Sequence, residues 1–171
     1  NSENSRGSNI DIYMDRIKFM SYDLYVELLT SATVVLDTYP YGGCLTTHDA
    51  LSNGIPMVTY PLEHVRGRYT LGLYTQMKYC IDNENCYNIN EYNTLKQSES
   101  DIDNTKYLNL IANNRNEYES IVCALLDNQQ LRNKISIDIA YKFKYNLHQG
   151  GDLAKEWMLF FIRSYISINF V

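Results

Sequence analysis

Two β-branched apolar runs organise the front half of the chain: Thr33-Val-Val-Leu36 and Ile55-Pro-Met-Val-Thr-Tyr60. Runs of this kind suit strands buried on both faces of a parallel sheet. Between them Asp37–Gly43 reads as a loop. Thr46-Thr-His-Asp-Ala-Leu-Ser-Asn-Gly54 then reads as a short helix, capped by Thr46 or Thr47 and ended at Gly54. Upstream, Arg16-Ile-Lys-Phe19 predicts a short strand. Ser21 predicts the cap of a helix with Tyr22, Tyr25, Leu28 and Leu29 on one side. A further helix is expected from about Arg66 to Met77. Strand, loop, helix and strand at short spacing predict an α/β fold with a Rossmann-like, doubly wound parallel sheet.

From about residue 79 to 106 the periodicity fades into Asn, Asp, Glu and Ser, which predicts an inserted, mobile surface loop. Helical spacing then returns. Tyr118, Ile121, Val122 and Leu125 form one stripe, and Leu131, Ile135, Ile139 and Phe143 a second. Gly150-Gly151 reads as a break. Asp152 reads as the cap of a last helix whose Trp157, Phe160, Phe161 and Tyr165 are expected to pack inward. Residues 1–9, polar and rich in Ser and Asn, read as a disordered lead, leaving residues 10–171 as a single lobe.

Composition narrows the picture. Apolar residues make up 45% and charged residues 20%, within the range of globular domains with a core. A net charge of -5 argues against broad nucleic-acid binding, yet leaves room for an anion held by backbone N–H groups. The four cysteines, Cys44, Cys80, Cys86 and Cys123, form no Cys-x-x-Cys pair, and no histidine clusters with them, so no metal is expected. A Cys80–Cys86 disulfide is one reading, and reduced thiols in an intracellular protein are the expectation. No signal peptide and no membrane span are expected. The chain does not open on Met, which points to a fragment of a longer protein.

The informative stretch runs from Leu36 to Thr59. After a buried strand, Pro40, Gly42 and Gly43 turn the chain sharply, and glycine lets backbone approach a ligand. A helix follows at once, its free N–H groups and positive dipole end at the carboxyl edge of the sheet, where nucleotides bind in such folds. Asp49, near the first turn, can accept bonds from ribose hydroxyls. The same residues also suit a ligand-free strand, turn and capped helix, with Asp49 complementing the helix dipole.

Three separated motifs carry a resemblance. The first comprises Leu36, Asp37, Thr38, Tyr39, Pro40, Tyr41, Gly43, Thr46, Thr47, Asp49, Leu51, Gly54, Pro56, Val58 and Thr59. The second is Glu63 and Arg68, with Leu62 where glycine is usual. The third is Leu110-Ile-Ala-Asn-Asn-Arg-Asn-Glu-Tyr-Glu119. Together they resemble the O-GlcNAc transferases and the related plant O-fucosyltransferases. The resemblance implies the C-terminal lobe of a two-lobed GT-B glycosyltransferase. It implies that Gly43, Cys44, Leu45, Thr46 and Thr47 hold the donor diphosphate and that Asp49 binds ribose. Gly42, Glu63 and Arg68 are then supporting residues, with Arg68 bracing the loop or reaching a phosphate. Tyr25 falls where the family places a ring beside the nucleobase, and an apolar helix anchor is the other reading of it. Cys44-Leu45 depart from the more polar residues usual before the Thr pair, and His48 stands where the family often has a small or apolar residue.

The function implied is inverting transfer of GlcNAc from UDP-GlcNAc to Ser/Thr of proteins, without a metal or other cofactor. The alternatives are a GDP-fucose-dependent protein O-fucosyltransferase and an inactive glycosyltransferase-like interaction module. An epimerase or protein N-glycosyltransferase of similar two-lobed fold is a further reading. The general base is not among these residues, so the chain alone is expected to be inactive. Its implied partners are a nucleotide sugar, a protein or peptide acceptor, a missing N-terminal lobe and upstream helical repeats, in the cytoplasm or nucleus.

Overall fold

The computed structural model describes residues 16–61, 63–80, 85–98, 102–103, 105–147 and 150–169, with only the backbone for 150–154 and 167–169. The reading of residues 1–9 as a lead lies outside them, as does Leu62. The chain divides into two units, Asn1–Ser31 and Ala32–Val171.

In the first unit, residues 17–20 form no strand, and Ile17 and Phe19 are exposed. Helix α1, Tyr22–Ser31, begins directly after Ser21, whose carbonyl accepts from Leu24 N. Tyr22 and Tyr25 stack at 5.9 Å, and Leu29 is the buried residue of the helix.

The second unit is mostly helical, with four short parallel strands. In chain order it contains β1 (Val35–Leu36), α2 (Leu45–Ser52), β2 (Met57–Val58), a 3₁₀ turn (Val65–Gly67) and α3 (Tyr69–Met77). Then come β3 (Cys86–Tyr87), α4 (Ile89–Gln97), β4 (Tyr107–Leu108), α5 (Arg115–Asp127), α6 (Gln129–Lys142), a π turn (Phe143–Leu147) and α7 (Gly150–Asn169). β1 pairs parallel with β2, and β3 parallel with β4. Thr59 bridges Ile111, donating from N to Leu110 O and accepting from Ala112 N. Asn109 N faces β3, through Tyr87 O. Successive residues of a strand face opposite neighbours, so the spatial order is β1-β2-β4-β3. β2 is buried throughout, whereas Leu36 on β1 is half exposed, because β1 is an edge strand among the described residues.

β2 and β4 diverge below Thr59, and two tyrosines fill the gap. The Tyr74 hydroxyl donates to Met57 O at 2.7 Å and accepts from Met57 N at 3.1 Å, satisfying both backbone groups that face β4. The Tyr79 hydroxyl donates to Leu108 O at 2.8 Å. The two rings lie 5.0 Å apart and are fully buried. Buried strand groups need partners, and here phenols supply what a continuous ladder would. Ile121, Leu125, Ile135 and Ile139 complete the core from α5 and α6, as their spacing predicts. Gly54 ends α2 with φ +71; a Cβ there would lie 2.9 Å from Ser136 O on α6.

Two expectations are corrected. The segment from 79 to 106 is not a surface loop: it supplies β3 and α4 and leads into β4, and Tyr79, Cys86, Ile89 and Tyr92 are core residues. Asn88 and Glu91 form a reciprocal capping box that starts α4, and Ile89 and Tyr92 turn its one apolar side inward. The expectation for residues 81–84, 99–101 and 104 lies outside the described residues. Cys80 and Cys86 form a disulfide, with Cα atoms 5.6 Å apart, where reduced thiols were expected. Cys44 and Cys123 are free and exposed.

The last helix also departs from expectation. α7 begins at Gly150, so the Gly pair lies within the helix. Trp157, Phe160 and Phe161 are 54%, 57% and 61% exposed, packed on one another rather than on the lobe. Residues 157–162 are apolar at six successive positions, so the sequence selects no inward face.

Two predictions follow from this packing. Leu125→Ala should cost about 2–5 kcal/mol in urea melts, whereas Trp157→Ala should change stability by less than about 1 kcal/mol. Equal losses would show that α7 is buried in solution. Burial raises the pKa of Tyr74 and Tyr79 above the ordinary 10.0. The folded state therefore keeps both phenols neutral where the unfolded chain ionises, and their contribution is full below about pH 10 and lost as pH rises through the folded values. The urea midpoint should be flat up to about pH 10 and fall above it, more steeply than in Tyr74→Phe. A midpoint that holds to about pH 12 would contradict this.

Candidate functional site

β1 delivers Asp37 to the carboxyl edge of the sheet, and every polar group of that residue is engaged. Its N–H donates to Val58 O at 2.9 Å, and its carbonyl accepts from the Tyr118 hydroxyl at 3.0 Å. Oδ1 accepts from Gly43 N at 2.8 Å, and Oδ2 from Thr59 Oγ1 at 2.7 Å. The residue is only 8% exposed. Carboxylate oxygens so buried need such donors. Burial, and next the Asp37 charge, push the Tyr118 phenol up to about 12.

The loop from 38 to 43 is fixed at several points. The Thr38 hydroxyl bonds Tyr41 O, the Tyr39–Pro40 peptide is cis, and Gly42 N donates to Arg66 O at 3.0 Å. The Arg66 guanidinium lies 5.8 Å from the centre of the Tyr41 ring. The protein's own atoms crowd both glycines, Gly43 the more severely. A Cβ at Gly42 would lie 3.2 Å from Asp37 Oδ1 and 3.3 Å from Arg66 O. At Gly43 it would lie 2.6 Å from Thr46 Oγ1 and 2.8 Å from Thr47 Oγ1.

α2 starts immediately after this turn. Cys44, not a threonine, occupies its N-cap, and no side chain caps it. Cys44, Leu45 and Thr46 are exposed, with Leu45 at 77%. Thr47 is fully buried, and its hydroxyl lies 3.1 Å from that of Thr70, which reaches Met57 Sδ at 4.0 Å. Thr47 therefore anchors α2 to α3. Burial, and next a hydrogen bond with Cys44, raise the Tyr69 phenol. Asp49 is half-buried one turn along. His48 turns its ring edge-on to Phe143, 4.8 Å away.

Of the residues singled out in the sequence, 42–47 and 49 come together around the start of α2. Gly43 contributes its N–H to Asp37 rather than to the open end of the helix. Glu63 and Arg68 are exposed on either side of the 3₁₀ turn that braces Gly42, and Arg68 O accepts from Gly72 N in α3. Tyr25 lies in the first unit. Asp37 and Tyr118 appear in the sequence motifs without a role, and Thr70 has no mark in the sequence.

A second hollow, which includes none of residues 42–47 in its lining, is a cleft of about 510 Å³ lined by Asp37, Tyr39, Tyr60, Arg115, Tyr118 and Glu119. Tyr39 and Tyr60 stack at 5.7 Å and 8°. Among the described residues no group of three His, Cys, Asp or Glu side chains is placed to hold a metal ion. No helix among them is long and apolar enough to cross a membrane. No family model matches the chain, and no curated protein shows a significant match to it.

Asp37→Ala should destabilise the lobe by about 1.5–3 kcal/mol, because two bonds to a charged acceptor vanish and their buried donors remain. Urea melts measure this, and a loss under about 0.5 kcal/mol would remove Asp37 from its central place.

Proposed function

We propose that the second unit is the donor-binding lobe of an inverting protein O-glycosyltransferase resembling the O-GlcNAc transferases, transferring GlcNAc from UDP-GlcNAc to Ser/Thr. In this reading the short parallel strands and flanking helices are the carboxyl-terminal part of a doubly wound, Rossmann-like lobe of a GT-B fold. The observation that carries it is the uncapped, exposed start of α2 at the carboxyl edge of parallel β1 and β2. The first N–H groups of a helix have no partner within it, and with the dipole they favour a diphosphate. Backbone groups of Cys44, Leu45 and Thr46 then hold the diphosphate, and the Thr46 hydroxyl adds one side-chain bond. Thr47 and Gly43 keep the turn in shape, and Asp49 takes the ribose. Glu63 and Arg68 support the brace behind Gly42. The base, the acceptor and the facing lobe lie outside this chain, which is inactive alone. An intracellular site of action goes with this reading, and the Cys80–Cys86 disulfide stands against a strongly reducing compartment.

Exposed Leu45 at the phosphate turn favours one rival, an inactive lobe used as an interaction module. Calorimetric titration of the chain with UDP, GDP, UDP-GlcNAc and GDP-fucose separates the readings and distinguishes the GDP-fucose alternative. Asp49→Ala should weaken nucleotide binding by about 1.5–3 kcal/mol, roughly 10- to 150-fold, as for bonds to a charged acceptor. Thr46→Val should cost less, since the backbone N–H groups remain. Gly43→Val should cost most, because its Cβ meets Thr46 and Thr47. No binding by the chain and none by the full two-lobed protein would defeat the donor reading.

A further inference from the structure

The cleft beyond the 37–43 loop has a composition unlike that of the α2 start. One wall is a flat aromatic face: Tyr39 is 65% exposed yet held parallel to Tyr60, so little ordering is needed to present it. The rim is Arg115 and Glu119, successive turns of α5, joined by an Nε–Oε1 bond of 2.9 Å with both side chains largely exposed. That bond uses one of five guanidinium donors and leaves further acceptor positions on the carboxylate. On the floor, the Tyr118 hydroxyl and the Asp37 carboxylate already have partners.

The ligand class follows from these three surfaces. A phosphate would need free helix-start N–H groups or uncompensated positive charge, but the start of α5 is capped by the Asn114 side chain and the one guanidinium here is matched by Glu119. The satisfied floor calls for no charged group. What suits the cleft is a neutral ring with an apolar C–H face for the tyrosines and hydroxyls at its edge for Arg115 and Glu119. A volume of about 510 Å³ lies within the range of small-molecule sites, roughly 300–1,000 Å³. The position, at the carboxyl ends of parallel strands, is where α/β sheets bind ligands. We propose that the Tyr39–Tyr60–Tyr118 cleft is a pyranose-binding subsite, separate from the start of α2, with the sugar stacked on the outer face of Tyr39, which Tyr60 backs, and its hydroxyls on Arg115 and Glu119.

The pyranose can come from a nucleotide sugar or from a separate glycan, and one experiment decides both the site and the source. Saturation-transfer NMR is run on the whole chain with methyl glycosides of glucose, N-acetylglucosamine and fucose, without nucleotide, so that the result is independent of the donor reading. At least one glycoside should show transfer, and the signal should fall at least fivefold in Tyr39→Ala and in Glu119→Gln. Both substitutions are at exposed positions, and circular dichroism checks that each variant keeps its fold. No transfer to any glycoside overturns the proposal, as does an unchanged signal in both variants. Displacement of the glycoside by UDP or GDP alone also overturns it, since the sugar would then occupy the nucleotide site. Displacement by UDP-GlcNAc or GDP-fucose but not by UDP or GDP upholds the subsite and assigns it to the donor sugar. No displacement by any nucleotide upholds it and assigns it to a separate glycan. Nucleotide binding measured alone tests the donor site, so the two readings fail separately.

Discussion

The carboxylate of Asp37 is the constraint on which the rest of the site depends. A buried anion is tolerated only where donors converge on it, and the donors here come from the loop it starts and from the neighbouring strand. Meeting that requirement folds residues 38–43 back on β1, which fixes where α2 begins and which way its N-terminus faces. The carbonyl of the same residue holds Tyr118 and so ties α5 to the sheet. The exposed helix start and the tyrosine-lined cleft both adjoin a loop drawn in by the hydrogen bonds of one carboxylate. Any ligand at either place is positioned by a group that need not touch it.

The interior solves a different problem. The four strands form two parallel pairs, and among the described residues the segments that follow β2 and β4 are joined by the single Thr59–Ile111 bridge. Tyr74 and Tyr79 bring hydroxyls from outside the strands to the backbone groups left over, and their rings fill the volume between the layers. The polar cost of a broken sheet is met by side chains that are also core. The Thr47–Thr70–Met57 contacts join α2, α3 and β2 in the same manner, though more weakly.

Much of this was legible in the residues. The two β-branched runs mark β1 and β2, Gly54 marks the end of α2, and the stripes on α5 and α6 name their buried positions. The failures have physical causes. The segment after Lys78 looks like a loop because its composition is polar, yet Asn88-x-x-Glu91 is a capping pattern and Ile89 with Tyr92 is enough apolar surface for a short helix against a core. α7 looks like a docked helix because its apolar residues recur at helical spacing, but so many are adjacent that spacing carries no directional information. At the site, the glycines invite a reading in terms of ligand approach, while the crowding they relieve comes from Asp37, Thr46 and Thr47. Side-chain bonds between distant segments, such as Thr47 to Thr70, leave no trace in a local pattern.

The exposed face of α7 has an optical consequence. Trp157 is the single indole of the chain, and it sits among Phe160 and Phe161 on that helix, while the fully buried aromatic residues of the lobe are tyrosines. Indole emission therefore follows the terminal helix and whatever it meets, while the buried phenols of Tyr74, Tyr79 and Tyr92 follow the core. A melt recorded through the indole alone would time the fraying of α7 and pass over the loss of the lobe.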